Sequence, residues 1–144
     1  MGIVSTISFA TEKRHVDNNK HINNGVIIGD YMERGRKDLL EINGLDPNSL
    51  RGREISMFVN QHVGYKHHSQ ILHPSSIEVL SRFGDRVGKL RFLVEQELYA
   101  CGELAVTGSC EYFFVDIGSE KPKSIRPPKD LVDQIYNLIS FKRF

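Results

Sequence analysis

One segment in the first third of the chain has the spacing of an amphipathic helix. From Gly25 to Ile42, apolar residues recur at helical spacing, and polar residues collect toward the end of the segment. The pair Asn43-Gly44 that follows is typical of a helix stop. The first half is apolar around much of its circumference, so we expect a central helix whose first half is deeply buried. The apolar positions are Val26, Ile27, Ile28, Tyr31, Met32, Leu39, Leu40 and Ile42.

Two glycines, Gly25 and Gly29, lie one turn apart in this helix. In a helix interior each glycine costs about 1 kcal/mol relative to alanine. Their presence predicts that the backbone approaches a sheet or a neighbouring chain closely at this point. A poorly formed first helical turn is the alternative explanation.

The rest of the chain alternates between strand patterns and turn signals. Ile3–Val16 has β-compatible residues and leads into a polar loop, Asp17–Asn24, that ends in a helix cap. After the helix we predict a loop, Leu45–Arg53, and then strands separated by short turns, which favours antiparallel hairpins. The predicted strands are Ile55–Tyr65, Ile77–Phe83, Lys89–Tyr99 and Leu104–Val115, and a helix is predicted over Lys129–Ile139.

A strand, a long buried helix and a run of strands predict an α+β domain in which a curved antiparallel sheet wraps around the helix. The 144 residues suffice for one hydrophobic core, so we expect a single domain over residues 1–144. A lone sheet leaves its edge strands unpaired, and pairing between two copies would cover them. The pattern therefore predicts a homodimer or a homotetramer built from dimers.

Charge and cysteine content narrow the function classes. The 19 basic and 18 acidic residues give a formal net charge of +1 without a long run of one sign, so we expect no nucleic-acid partner. Cys101 and Cys110 form no Cys-x-x-Cys pair and are predicted to be free thiols. We see no signal peptide and no apolar run of about 20 residues, so we expect no membrane span and a cytoplasmic location.

The polar loop before the helix carries the groups that hydrolytic chemistry needs. Asp17 can act as a nucleophile or as a general base toward water, and His21 lies close enough in sequence to face the same pocket. If Asn23 or Asn24 caps the helix, the N–H groups of the first turn, including that of Gly25, can hold the oxygen of an ester or thioester carbonyl. The alternative is that Asp17 only caps a turn.

Metal binding is the competing interpretation of an Asp-Asn-Asn run. When the loop is aligned with the calcium loop of an EF-hand, Ile22 falls where glycine is required and Ile28 where the bidentate glutamate belongs. The later histidines match no zinc motif. We therefore predict no metal site and no other cofactor. These histidines are His62, His67, His68 and His73.

The loop and helix resemble the signature of hotdog-fold thioesterases, Asp-x-Asn-x-His-Val-Asn-Asn followed by Ile-Gly and Glu. The spacing to Glu33 is similar to that of plant-type acyl-ACP thioesterases, and Asp17 also matches the catalytic aspartate of the 4-hydroxybenzoyl-CoA thioesterase branch. The resemblance implies a hotdog fold and hydrolysis of an acyl-CoA or acyl-ACP thioester, without a cofactor, at sites between subunits. The matching residues are Asp17, Asn19, His21, Ile22, Asn23, Asn24, Ile28, Gly29 and Glu33.

The resemblance also implies roles for single residues. Asp17 would activate water or attack the thioester, with Asn19 and His21 orienting it and the reacting group. His68 stands where the plant-type enzymes have a glutamate, and it is a second-rank catalytic candidate.

The implied substrate contacts are the cap residue Asn23, the backbone of Asn24 and Gly25, which would polarise the carbonyl, and, as a second-rank candidate, His67. The chain departs from the family at His15 and Lys20, where relatives often have an acid and a glycine.

Two other functions stay open. A hotdog dehydratase or hydratase would use an acid and a histidine on the same substrates, but the sequence has no His-Phe-Pro type loop. A non-catalytic module that binds acyl groups or a carrier protein would keep the pocket and perform no chemistry. Release of a free thiol distinguishes a thioesterase from such a module.

Overall fold

The computed structural model of the chain describes residues 2–17, 19–87, 91–118, 120–121, 123–126 and 128–139. The strands are β1 (Ser5–Ala10), β2 (Ile55–His67), β3 (Ser76–Val87), β4 (Arg91–Ala100), β5 (Glu103–Asp116) and β6 (Lys123–Ser124). The helices are α1 (Asn24–Val26), a π-helical turn (Ile27–Tyr31), α2 (Met32–Ile42), α3 (Pro47–Gly52) and α4 (Lys129–Leu138), with a 3-10 turn at Lys13–His15. We call α1, the π-helical turn and α2 together the central helix.

The strands of the described residues form one antiparallel sheet in the order β1-β3-β4-β5-β2, with β6 beside β5. The register shifts along the β2–β5, β3–β4 and β4–β5 pairs, as it does at β-bulges, which increase strand twist and bend a sheet. The central helix packs on β1, β3 and β4 through α2. The predicted α+β architecture, an antiparallel sheet curved around a helix, is confirmed.

The first half of the central helix is buried on one side only. Tyr31 and Met32 are fully buried, whereas Ile28 is half-buried and Gly29 is exposed. In the single chain the expected deep burial of this half is found on one side of the helix, because one sheet covers one side of a helix.

Among the glycines of the central helix, Gly35 lies closest to the sheet. A Cβ atom there would lie 2.5 Å from Val79 Cγ1 and 2.7 Å from Ser81 Oγ. Among the described residues, Gly29 has nothing within 4 Å of such an atom, and Gly25 meets only a side-chain oxygen at 3.1 Å. The expected approach of Gly25 and Gly29 to the chain's own sheet is thus wrong, and their approach to a neighbouring chain stays a prediction.

Two predicted segments differ from the structure for local reasons. The first strand ends at Ala10 instead of Val16, because the ladder with β3 ends at the pair Ala10–Ser76. The predicted loop after the central helix contains α3, whose start carries the sequence signal Asp46-Pro47, an acid followed by a proline in the first turn. The predicted strand Lys89–Tyr99 begins at a residue that lies outside the described part of the chain.

Candidate active site

The polar loop that precedes the central helix is a tight hairpin. Val16 pairs with Ile22, and the Asp17 N–H donates to the His21 carbonyl over 2.8 Å. Asp17 Oδ1 accepts the N–H groups of Asn19 at 2.9 Å and of His21 at 3.1 Å. Among the described residues, Asp17 Oδ2 has no hydrogen-bond partner. One carboxylate oxygen therefore closes the turn, and the other is available for chemistry.

Lys20 takes the conformation that a glycine would take in this loop. Its φ angle is 62°, in the left-handed region that glycine adopts without strain. Its carbonyl accepts the His73 N–H over 3.0 Å, which ties the hairpin to the segment that precedes β3. Lys20 therefore supplies the left-handed backbone conformation of this turn.

Asn23 is the N-cap of the central helix, the first of the two predicted alternatives. Its Oδ1 accepts the Gly25 N–H at 2.7 Å, and its carbonyl accepts the Val26 N–H at 3.0 Å. The Gly25 N–H, expected to contact the substrate, is therefore already paired. The Asn24 N–H has no acceptor among the described residues, so it is the first-turn amide left for a substrate oxygen.

Replacement of the cap, Asn23→Ala, is expected to lower the free energy of unfolding by about 1 kcal/mol, because the Gly25 N–H then loses its acceptor. Urea denaturation monitored by circular dichroism measures the change. Asn19→Ala is the matched control, since the side chain of Asn19 is exposed and has no hydrogen bond within the described part of the chain. An equal loss in both variants would contradict the assignment of the cap.

A cavity of about 590 Å³ opens at this loop. Its floor is apolar and fully buried, formed by Ile22, Ile27 and Ile71. Polar side chains surround the floor. The candidate residues that line the cavity are Asp17, His21, Asn23, Asn24, His67 and His68, and Ser69 and Gln70 complete the lining. Two candidates are not in this lining: Asn19 and Gly25 donate their N–H groups to Asp17 Oδ1 and Asn23 Oδ1 instead.

Residues 67–71, at the end of β2 and just after it, form the rest of the cavity lining and pair with the hairpin. The Ile22 N–H donates to the Ile71 carbonyl over 2.8 Å, and the His68 N–H donates to the Ala105 carbonyl over 2.7 Å. His68 Nε2 lies 2.8 Å from Thr107 Oγ1, so the ring is tethered to β5. Sequence reasoning missed Ser69, Gln70 and Ile71, because only pairing between distant segments brings them to the loop.

The sequence model of the thioesterase-like superfamily matches residues 12–135, which include the loop, the central helix and every described strand of the sheet except β1. The chain belongs to this superfamily. Its architecture is the hotdog fold, as in the solved structures described next. No curated protein sequence matches the chain significantly.

Three solved thioesterases show the likeness in fold. The DHNA-CoA thioesterase from Staphylococcus aureus is 20% identical with a TM-score of 0.79, over 93% of this chain and 89% of that one. The 12:0-ACP thioesterase from Umbellularia californica is 13% identical with a TM-score of 0.76, over 99% of this chain and 56% of that one. The gentisyl-coenzyme A thioesterase BH1999 is 11% identical with a TM-score of 0.73, over 90% of this chain and 98% of that one.

In the described part of this superfamily member, no helix combines the length and the apolar character that crossing a bilayer demands.

A cluster of metal-type donors lies beside the π-helical turn of this thioesterase-like chain. One donor atom each of Glu12, His15 and Asp30 lies within 4.8 Å of the others. Arg34 already pairs with both carboxylates, at 2.7 Å from Asp30 and 3.3 Å from Glu12. Hydrogen bonds hold both carboxyl pKa values below their ordinary ones, from Arg34 for Asp30 and chiefly from Arg14 for Glu12. A cation here would have to displace the Arg34 guanidinium, so we interpret the cluster as an ion-pair network.

Proposed function

We propose that the chain is an acyl thioesterase that hydrolyses an acyl-CoA or acyl-ACP thioester to a free acid and a thiol. The observation that carries the proposal is the set of groups that line one cavity. One oxygen of Asp17 and the N–H of Asn24, both without a partner among the described residues, line the cavity together with apolar side chains that can accept an acyl group. Membership of the thioesterase-like superfamily supports the same reaction class.

In the proposed mechanism, Asp17 Oδ2 accepts a proton from water as the water oxygen bonds to the thioester carbon. The negative charge that develops on the carbonyl oxygen is held by the Asn24 N–H at the positive end of the central helix. The carbon–sulfur bond then breaks, and the proton passes from Asp17 to the leaving sulfur. Direct attack by Asp17 to form a mixed anhydride, which water then hydrolyses, gives the same products.

Further roles follow from positions around the cavity. The ring of His21 lines the cavity beside Asp17 and would orient the reacting group, while the Asn19 N–H fixes the carboxylate through Oδ1. His67 and His68 are exposed and line the same cavity, and we propose that they contact the substrate near its thioester. The mechanism uses these side chains and backbone amides without a metal or a redox cofactor.

We also propose that the single hotdog domain works as a homodimer or homotetramer. β2 lies at one edge of the described sheet, so one side of this strand is open to pairing with a second copy. Gly29 on the outer side of the central helix faces open space in the single chain, which leaves room for close packing of a partner. Light scattering coupled to size-exclusion chromatography measures the mass in solution.

Thiol release over a panel of substrates tests the proposed function. The panel combines short, long, branched and aromatic acyl groups on both CoA and acyl carrier protein at neutral pH. Because Cys101 is exposed and would react with a thiol reagent, the assay uses a Cys101→Ser background. We expect thiol release above the uncatalysed rate for at least one substrate. Saturable binding without release across the panel would favour a non-catalytic binding module.

A further inference from the structure

A buried tyrosine connects the central helix to the segment that leads into Asp17. Tyr31 ends the π-helical turn and is fully buried. Its hydroxyl lies 3.0 Å from His15 Nδ1 and accepts the Glu12 N–H over 3.4 Å. Both partners belong to residues 11–16, which we call the strap. Burial raises the pKa of Tyr31, so the hydroxyl keeps its proton at neutral pH.

Charged or polar groups lie close to both nitrogen atoms of the His15 ring. Besides the Tyr31 hydroxyl, Nδ1 lies 3.4 Å from Glu12 Oε2, and Nε2 lies 3.6 Å from Asp30 Oδ2. The ring is 9% exposed and meets the Tyr31 ring edge-on at a centroid distance of 5.5 Å. Arg34 pairs with the carboxylates of Glu12 and Asp30, so its positive charge offsets the negative charge beside the ring.

The backbone of His15 is hydrogen-bonded to the active-site loop. Its carbonyl accepts the N–H of Asn23, the helix cap, over 3.0 Å, and the next residue, Val16, pairs with Ile22. Asp17 follows directly. The His15 backbone therefore connects the restrained ring to the helix cap and, through Val16, to Asp17.

The π-helical turn sets the direction in which the Tyr31 side chain leaves the helix, toward the strap. The Met32 N–H donates to the Ile27 carbonyl, a bond across five residues that replaces the four-residue bond of an α-helix. Each residue of a regular α-helix turns the chain by about 100°, so loss of the wider turn would rotate Tyr31 away from the strap. π-helical turns are frequent at functional sites, and here the turn lies between the cavity floor at Ile27 and Tyr31.

We propose that His15 and Tyr31 are a pair of positioning residues that hold the strap against the central helix and thereby place Asp17 over the helix start. The proposal rests on the proposed catalytic role of Asp17. Neither side chain touches the substrate, so their loss misplaces the carboxylate without removing a reacting group. A displacement of about 1 Å in a catalytic group can cost about 100-fold in rate.

Amide hydrogen exchange measured by NMR tests the placement without any assay of activity. In Tyr31→Phe, the Asn23 and His21 amides are expected to exchange at least about tenfold faster than in wild type, while β4 and β5 amides keep their rates. Tyr112→Phe is the matched control, because the Tyr112 hydroxyl accepts a hydrogen bond from Arg36 within the other buried hydrophobic cluster. The control is expected to leave the Asn23 and His21 amides unchanged.

Kinetics on the best thioester of the panel test the consequence. Tyr31→Phe and His15→Leu are expected to lower kcat by about 10- to 100-fold with little change in KM, because substrate contacts are retained. His15→Asn places an amide where Nδ1 stood and is expected to restore kcat to within about threefold of wild type. The double variant of His15→Leu and Tyr31→Phe is expected to be no slower than either single variant, since one link is broken.

Unchanged exchange of the Asn23 and His21 amides in Tyr31→Phe would overturn the proposal, as would losses in kcat that multiply in the double variant. A failure of the proposed function has a different signature. In that case wild type releases no thiol, while the exchange measurement still decides whether the pair positions the loop.

Discussion

Asp17→Asn is expected to lower kcat for thiol release by a factor of about 10² to 10⁴, the range that a general base contributes. The asparagine keeps an oxygen where Oδ1 accepts the N–H groups of Asn19 and His21, so the hairpin retains its hydrogen bonds. The carboxylate oxygen that is free for proton transfer becomes a neutral amide nitrogen. The variant therefore separates the chemical role of Asp17 from its structural role, and its melting temperature should match that of wild type.

Two further variants serve as controls for this result. Asp116→Asn changes an aspartate of the same kind away from the cavity lining, whose Oδ1 accepts the Gly118 N–H at 2.8 Å, and it should leave kcat unchanged. Asp17→Ala removes the acceptor as well as the charge, so it should lose both activity and about 1 kcal/mol of stability. Loss of activity in Asp17→Ala alone, with full activity in Asp17→Asn, would assign Asp17 to the turn and not to the chemistry.

Gly35→Ala should lower the free energy of unfolding by about 2 kcal/mol or more, because a methyl group must enter a close-packed interface. Its Cβ would lie 2.5 Å from Val79 Cγ1 and 2.9 Å from Gln96 Nε2, which donates to the Met32 carbonyl and to Ser81 Oγ. The steric overlap is removed only if the helix moves away from the sheet or the hydrogen bonds of Gln96 break. Scanning calorimetry should show a fall in melting temperature of about 5 °C or more.

Gly52→Ala, in α3, is the matched control for Gly35→Ala, because Gly52 lies outside the face of the central helix proposed to pack against a second copy. No described atom lies within 4 Å of the added methyl group, and alanine favours helix over glycine by about 1 kcal/mol. The control should be neutral or slightly stabilised. Equal destabilisation of the two variants would contradict the packing described for Gly35.

The parts of the fold that depend on neighbours in sequence could be predicted. Alternation and helical spacing located the four long strands and the central helix, because side chains on one face of an element share one burial environment. The cap at Asn23 was one of two alternatives, since its hydrogen bond to Gly25 spans only two residues. The combination of Asp17, His21 and the helix start in one cavity follows from the same short segment.

The parts that depend on contacts between distant segments could not be predicted. Gly25, Gly29 and Gly35 look alike in sequence, and only the register of α2 on β3 and β4 shows that Gly35 meets the sheet. The π-helical turn has no signal in the spacing of apolar residues, because it widens the helix over a single turn only. Gln70 reaches the cavity only because Ile71 pairs with Ile22.

The measurement that tests the central claim most directly compares thiol release by wild type and by Asp17→Asn on the same acyl thioester, with melting curves of both preparations. Our account predicts rapid release by wild type, release slower by a factor of about 10² to 10⁴ by the variant, and superimposable melting curves. Equal rates of release by the two proteins would contradict it.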